Sequence, residues 1–229
     1  MKKELSLILP VYNEEEGLVK SFNQIYHFLQ ANNFTFEIII VDDASTDRSL
    51  AIARSLASQY SNVVLRQHEK NQGPCSGFKT GIRVAQYDWI LQVPVDLAIP
   101  LTDINVLWQA RENCDIALGY LKKPSERSML RRTLSRGYTI LINFLFATEF
   151  KQINYVALYR KSIFRDFQLV CAGGSIHAEV LIRSHRTGKR ILNVGLGYEP
   201  RRFGIASGAK PKVIFKTLWD IFRLRFLKY

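Results

Sequence analysis

Two short runs of this 229-residue chain place carboxylates where a buried strand would end. The first is Pro10-Val11-Tyr12-Asn13-Glu14. The second is Ile38-Ile39-Ile40-Val41-Asp42-Asp43-Ala44-Ser45-Thr46-Asp47. Leaving unpaired carboxylates beside a core is costly, so the pattern points to a ligand. Carboxylates accept hydrogen bonds from a nucleobase or ribose, and they hold a hard cation that bridges a diphosphate. In an open α/β sheet the carboxyl ends of the strands are where ligands bind. A third run, Val93-Pro94-Val95-Asp96-Leu97-Ala98, supplies one more carboxylate, and Asn71-Gln72-Gly73 marks a loop between elements. No Gly-x-Gly-x-x-Gly follows the first run, which argues against a dinucleotide-binding Rossmann turn.

Strands and helices must hold these runs in place. Leu5–Tyr12 and Phe36–Val41 are apolar and rich in β-formers, the second continuously so, as in a strand buried on both faces. Between them, Leu18, Phe22, Ile25 and Phe28 recur at helical spacing over 17–32. The alternation continues with a helix from Asp47, a strand at 62–67, a helix over 73–85 and a strand at 88–95. A helix over 101–113 and a strand at 115–120 follow. Such repeated βα units predict a doubly wound, mostly parallel sheet flanked by helices. The second half is less regular. It reads as a long helix over 126–147, a strand at 153–159, a helix at 176–187 and a strand at 190–198. A Gly/Ser loop at 204–210 precedes a final helix, with Pro211 in its first turn.

Composition narrows the class. The 32 basic and 20 acidic residues leave a net charge of +12, which favours an anionic partner such as a nucleotide, nucleic acid or acidic lipid surface. A nucleic-acid binder rests on charge alone, because no recognition helix or stacking platform accompanies it. Cys75, Cys114 and Cys171 are too scattered for a disulfide framework or metal spacing and suit a reducing compartment. No stretch reaches the roughly 18–20 apolar residues that span a bilayer.

In their order, Pro10 to Glu14, Val41 to Asp47, Asn71-Gln72-Gly73 and the strand ending at Asp96 resemble the family-two glycosyltransferases of GT-A fold. Within these, the chain is similar to the dolichyl- and polyprenyl-phosphate sugar transferases, the dolichol-phosphate mannose synthase-like branch. The resemblance implies inverting transfer of a sugar from a nucleoside diphosphate sugar to a polyprenyl phosphate, at the cytoplasmic face of a membrane and without nucleic acid. It implies a GT-A domain over 1–210 and an amphipathic helix over 211–229. By position, Pro10, Tyr12 and Glu14 would line the base and ribose pocket, and Asp43 would bind the nucleobase. Asp42 would shape the turn beside it, with an Asx-type turn and helix cap as the purely structural reading of Asp42 and Ser45. Asn71 and Gly73 would lie near the sugar-nucleotide.

The pattern departs from the family at two places. Its metal-binding Asp-x-Asp reads Pro94-Val95-Asp96 here, so Asp96 alone would serve as catalytic and metal-holding carboxylate for Mg²⁺ or Mn²⁺. A site assisted by substrate, catalysis by cations such as Arg202 and Lys210 instead of a metal, and lost activity all remain open. Lys151 stands where the branch has an acidic residue near the reacting sugar. Glu179 matches a later acidic position of the branch, or else is a solvated helix residue. Arg131, Ser135, Arg202, Ser207 and Lys210 resemble the groups that bind lipid phosphate, where a planar guanidinium fork and a lysine point charge suit the chemistry. The last helix carries Phe215, Trp219, Phe222 and Phe226 beside Lys216 and Arg223, a pattern for a membrane interface or for core packing. A non-catalytic nucleotide-binding protein and a transferase to a surface polysaccharide are the alternative readings.

Overall fold

The apolar runs that read as strands all join one seven-stranded sheet. A computed structural model describes residues 2–73, 76–122, 129–165, 168–171, 175–199 and 211–226, with backbone alone for Leu130, Arg131, 211–216 and Leu218. The strands are β1 (Lys3–Val11), β2 (Phe34–Asp42), β3 (Val63–Gln67), β4 (Trp89–Gln92), β5 (Ile116–Leu121), β6 (Ala157–Arg160) and β7 (Ile191–Leu196). Their spatial order is β3-β2-β1-β4-β6-β5-β7. All neighbours run parallel except β6, which is antiparallel to both β4 and β5.

Helices α1 (Leu18–Ala31), α2 (Ser49–Gln59), α3 (Ser76–Val84), α4 (Asp103–Ala110), α5 (Met129–Phe146), α6 (Ile176–Arg186) and α7 (Pro211–Phe226) cover the two faces. The period of two along the strands decides which face each side chain feeds. Leu5, Leu7, Leu9 and Val11 of β1 and Phe36, Ile38 and Ile40 of β2 pack with Phe22, Ile25, Ala53, Leu107 and Trp108. Ile8, Ile39 and Val41 point the other way, toward Phe78, Ile142, Phe146, Leu181, Ile221 and Leu224. Each such fully buried side chain contributes about 1.5–3 kcal/mol. Helix α3 lies directly on β1, because Gly77 and Gly81 are one helical turn apart and face it. A Cβ at Gly77 would stand 2.8 Å from Pro10 Cβ, and one at Gly81 2.6 Å from Ile8.

Two strands are shorter than their apolar runs suggest. The run at 88–95 leaves the sheet after Gln92. Val93 N–H still reaches Ile8 O, but Pro94 has no N–H to give, and Leu97 N–H closes a turn onto Pro94 O. The run at 153–159 joins the sheet only at Ala157, because the residues before it make cross-connections instead. Gln152 Oε1 accepts Leu121 N–H, and the Tyr155 hydroxyl donates to Gly197 O. Helix α5 stops where Asn143 turns its amide onto the following loop, donating to Phe150 O and accepting Phe150 N–H and the Thr148 hydroxyl.

Helix α7 is divided by its own period. Ile221 and Leu224 are buried in the core, and buried Asp220 accepts a hydrogen bond from Ser175 at the start of α6. Trp219, Phe222 and Phe226 are exposed; Trp219 stacks on Phe222, and Phe226 meets Phe222 edge to face. On α5, Ile140 and Phe144 are exposed as well. No helix among the described residues is long and apolar enough to cross a membrane.

His177 of α6 sits between Phe78 of α3 and Tyr159 of β6, with its Nδ1 3.0 Å from the Tyr159 hydroxyl. The residue keeps partial exposure, yet burial in this packing pushes its pKa down to about 4. The unfolded chain therefore binds this proton more readily than the folded one. Stability should be full above pH 6.5 and fall as the pH drops toward 4, by about 1–3 kcal/mol from this group. Denaturant melts of the wild type and His177→Gln across that window check it. The variant's slope should be shallower.

Candidate functional site

The chain leaves β1 for β2 and β3 on one side, then returns to β4 on the other side of β1. That reversal opens a crevice at the carboxyl ends of β1, β2 and β4, the place where open α/β sheets receive ligands. Parallel register sets Val11 opposite Asp42, so the loops after β1 and β2 leave the sheet at one level. They are then stitched together. Asn13 donates its N–H to Ser45 Oγ and accepts the Thr46 N–H at 2.8 Å. Glu14 N–H reaches Ser49 Oγ at 2.8 Å. Glu15 N–H reaches Asp47 Oδ2, and Glu15 Oε2 accepts Arg48 N–H at 3.0 Å.

Burial alone would raise the Asp47 carboxyl. Hydrogen bonds from Ser49 and from the Glu15 N–H outweigh it and hold the group below its ordinary value. This contribution of Asp47 to the stitch should be intact above about pH 4 and lost as pH falls through the lowered folded value. Asp47→Asn should weaken the stitch at neutral pH and flatten that acid limb, read from amide hydrogen exchange of residues 13–15 and 45–49.

Asp43 is buried, and both of its carboxylate oxygens are engaged within the chain. Its Oδ1 lies 2.7 Å from His68 Nδ1 and accepts Gln72 N–H at 2.9 Å, and its Oδ2 accepts Gly73 N–H at 3.0 Å. Asn71 Nδ2 donates to the Asp43 carbonyl at 3.3 Å. The structure thus brings together Asp43, Asn71 and Gly73, three of the nucleotide-binding candidates. Gly73 holds φ at +88°, a conformation that L side chains rarely adopt. His68 continues the chain of contacts to Thr80 Oγ1 of α3 at 2.8 Å. Sequence reasoning gave His68 no role. The only signal for it is its place one residue beyond a strand that ends beside β2.

Asp42 behaves differently. Its Oδ2 accepts Ser45 N–H at 3.1 Å, forming the Asx-type turn, while Oδ1 is buried with no hydrogen-bond donor among the described residues. Of the two aspartates, the one assigned to the turn keeps an unfilled acceptor, and the one assigned to the base is filled from within the chain. Tyr12 is 47% exposed beside them. Pro10 packs under α3 at Gly77, and Glu14 starts the approach to α1 through its carbonyl, which accepts Gly17 and Leu18 N–H.

Asp96 is buried just beyond β4, and its Oδ1 accepts Ala98 N–H at 3.2 Å. Non-glycine residues with positive φ occur in all three loops: Asn13 at 54°, Ala44 at 60° and Leu97 at 46°. Strain of this kind, about 1–3 kcal/mol per residue, gathers at ligand-binding loops. Among the described residues no group of three or more His, Cys, Asp or Glu could hold a metal ion.

Glu179 is fully buried. Its oxygens accept the N–H groups of Val170 and Cys171 at 2.7–3.0 Å and lie 2.9 Å from Arg183 Nε. The solvated-helix alternative for Glu179 is corrected by this burial. The carboxylate anchors the segment before α6, and none of these partners is another candidate site residue. Beside it, burial pushes the Cys171 thiol up to about 12. Ser135 lies half-buried on α5, its carbonyl accepting the Thr139 hydroxyl. The Arg131 side chain and Arg202, Ser207 and Lys210 lie outside the described residues. Lys151 is exposed beside Tyr120 of β5.

Comparison with known proteins settles the relationship. The family model described as Glycosyl transferase family 2 matches residues 6–167. The chain belongs to glycosyltransferase family 2. A dolichol-phosphate mannosyltransferase of Pyrococcus furiosus is 32% identical over 231 residues, covering 96% of this chain and 63% of that protein. An undecaprenyl-phosphate 4-deoxy-4-formamido-L-arabinose transferase of Edwardsiella ictaluri is 27% identical, covering 95% and 66%. This family 2 chain thus spans less than two thirds of each relative's length. Among solved structures, glucosyl-3-phosphoglycerate synthase of Mycobacterium tuberculosis, in complex with Mn²⁺, uridine diphosphate and glucosyl-3-phosphoglycerate, superposes with a TM-score of 0.76. The match covers 99% of this chain and 81% of that one at 15% identity. That neighbour establishes the GT-A fold expected from the sequence.

Removing Asp43 would strand three donors at once. Asp43→Ala should cost about 1–3 kcal/mol of stability and release the loop at 68–73. His68→Ala should loosen the same loop with a smaller loss. Melts combined with hydrogen exchange at Gln72 and Gly73 check both.

Proposed function

We propose that this family 2 glycosyltransferase moves a sugar from a nucleoside diphosphate to a polyprenyl phosphate, with inversion at the anomeric carbon. The observation that carries the reading is the stitched pair of loops at the switch point, lined by Asp42, Asp43 and Tyr12, in a chain of this family. The exposed Tyr12 ring suits the base face, and the fully buried Asp42 shapes the turn beside it. The names of the relatives, dolichol-phosphate and undecaprenyl-phosphate sugar transferases, support a lipid phosphate as acceptor.

In this reaction an acceptor phosphate oxygen forms a bond to the anomeric carbon as the bond to the diphosphate breaks. The phosphate is already ionised near neutral pH, so no strong general base is required. Rate then depends on positioning and on stabilising the leaving diphosphate. The donor set fits a hard cation in the minimal way such sites allow, one carboxylate completed by phosphate oxygens and water. Asp96 would hold Mg²⁺ or Mn²⁺, and the ion would supply neutralisation of charge on the leaving diphosphate. Glu179 serves as a positioning residue that fixes the segment before α6, rather than as a group touching substrate.

The acceptor phosphate would be met by Arg131 and Ser135 of α5 and by Arg202, Ser207 and Lys210. Residues 1–210 form the transferase domain, and α7 lies against a membrane surface, at its cytoplasmic face. The exposed aromatics Trp219, Phe222 and Phe226, with Arg223 and Arg225 beside them, suit a headgroup layer. Pro94 and Lys151, in place of acidic residues of the branch, favour one second reading, a protein that binds the nucleotide without transfer.

Binding of uridine and guanosine diphosphates with and without Mg²⁺, followed by single-turnover transfer to a short polyprenyl phosphate, separates the two. Asp96→Ala should slow transfer by about a hundredfold or more. Full turnover in that variant would remove Asp96 from the mechanism. Tight nucleotide binding with no transfer by the wild type would establish the second reading.

A further inference from the structure

Lys122 and Lys151 lie outside the machinery described so far, at the carboxyl ends of β5 and β7. The stem of Lys122 borders one glycine, and Lys151 reaches the tyrosine opposite it. Gly195 of β7 stands opposite Tyr120 of β5 in the parallel register. A Cβ on Gly195 would lie 2.7 Å from Lys122 Cε, 2.8 Å from Lys122 Cγ and 3.2 Å from the Tyr120 hydroxyl oxygen. The missing side chain leaves the space in which the Lys122 stem and the Tyr120 hydroxyl meet. Lys151 Nζ donates to that same hydroxyl oxygen at 3.3 Å and sits 4.5 Å from the Tyr120 ring centre.

The backbone beneath is fixed. Lys122 N–H donates to Leu196 O at 3.0 Å, Lys151 N–H to Asn193 Oδ1 at 3.0 Å, and Asn193 Nδ2 to Glu149 O at 3.1 Å. Among the described residues neither ammonium group pairs with a carboxylate. Two cations on one patch repel each other, and an anion between them relieves that repulsion. Lys151 donates to the Tyr120 oxygen, so the phenolic proton is free to point outward. Two lysines and one hydroxyl therefore gather donors on one patch around Tyr120, a set that suits phosphate or carboxylate through charge-assisted hydrogen bonds.

Strand directions place this patch on the same edge of the sheet as Asp43 and Asp96. Strand β7 is parallel to β5, and β6 is antiparallel to both β5 and β4. The patch lies across β4 and β6 from the nucleotide loops. We propose that Lys122, Lys151 and Tyr120, closing over Gly195, form an oxyanion site for a phosphate or carboxylate group of a substrate. The site stands on its own geometry, and only its assignment to a substrate rests on the transferase reading. The bearer of the anion is either the acceptor's phosphate or an acidic sugar on the donor.

The test uses the full chain with ¹³C-dimethylated lysines, which keep their charge and one N–H. The two signals are assigned by their loss in Lys122→Arg and Lys151→Arg. Titration with inorganic phosphate and with glucuronate should shift both signals saturably and together. Gly195→Val, which keeps every charge but fills the cradle, should weaken the response about tenfold, while the remaining lysine signals report an intact fold. Linear or absent shifts, or a Gly195→Val response equal to wild type, would overturn the site. Competition by a short polyprenyl phosphate in detergent assigns the site to the acceptor, and selective competition by glucuronate assigns it to an acidic sugar. Because the readout needs no turnover, loss of transfer alone leaves this result intact. Active transfer without saturable shifts removes the site alone.

Discussion

The structure depends first on the in-register pairing of β1 with β2. It runs without a break from Lys3 opposite Phe34 to Val11 opposite Asp42. A slip of one residue would turn every side chain to the wrong face of the sheet, and it would lift one loop above the other. At the observed register, Asn13, Glu14 and Glu15 meet Ser45 to Ser49 closely enough to exchange side-chain hydrogen bonds. The loops hold each other, and so Asn13 and Ala44 can keep strained conformations that neither loop would adopt alone. The same register carries Asp43 to the position where it collects His68, Gln72 and Gly73.

Charge is distributed to match the two sides of the crevice. Around β1, β2 and β4 the crevice carries the carboxylates of Asp42, Asp43 and Asp96. Across β6, at β5 and β7, lysine and tyrosine take over. The two sides of the crevice therefore present unlike local fields to an approaching anion.

Much of the fold was legible because parallel strands buried on both faces leave unbroken apolar runs, as at 36–41, and because helices show their inward stripe. The strand ends were less legible. Pro94 was visible, but its effect of releasing the chain from β4 required knowing which neighbour needed an N–H. The carboxylates of the site could be found from residue type and place. Their partners could not. His68 is an ordinary histidine in sequence, and only the approach of β3 to β2 puts it against Asp43. Glu179 offered two readings because burial of a helix residue depends on what packs over it, here Arg183 and the segment ending at Cys171. Lys151 and Lys122 are separated in sequence, and no local pattern announces that one reaches Tyr120 and the other borders Gly195 opposite it.

The central place of β1 also sets an order of assembly. Its ladder to β2 and that of β2 to β3 close short crossovers, whereas Ser6 must wait for Ile90 before β4 can join. Chain-closure entropy makes the first three strands the less demanding part to bring together. Asp42 and Asp43 belong to that early part, and Asp96 arrives with the strand that closes the other wall. The crevice is therefore built as a shelf first and as a cleft second. During synthesis the shelf leaves the ribosome well before the strand that will face it.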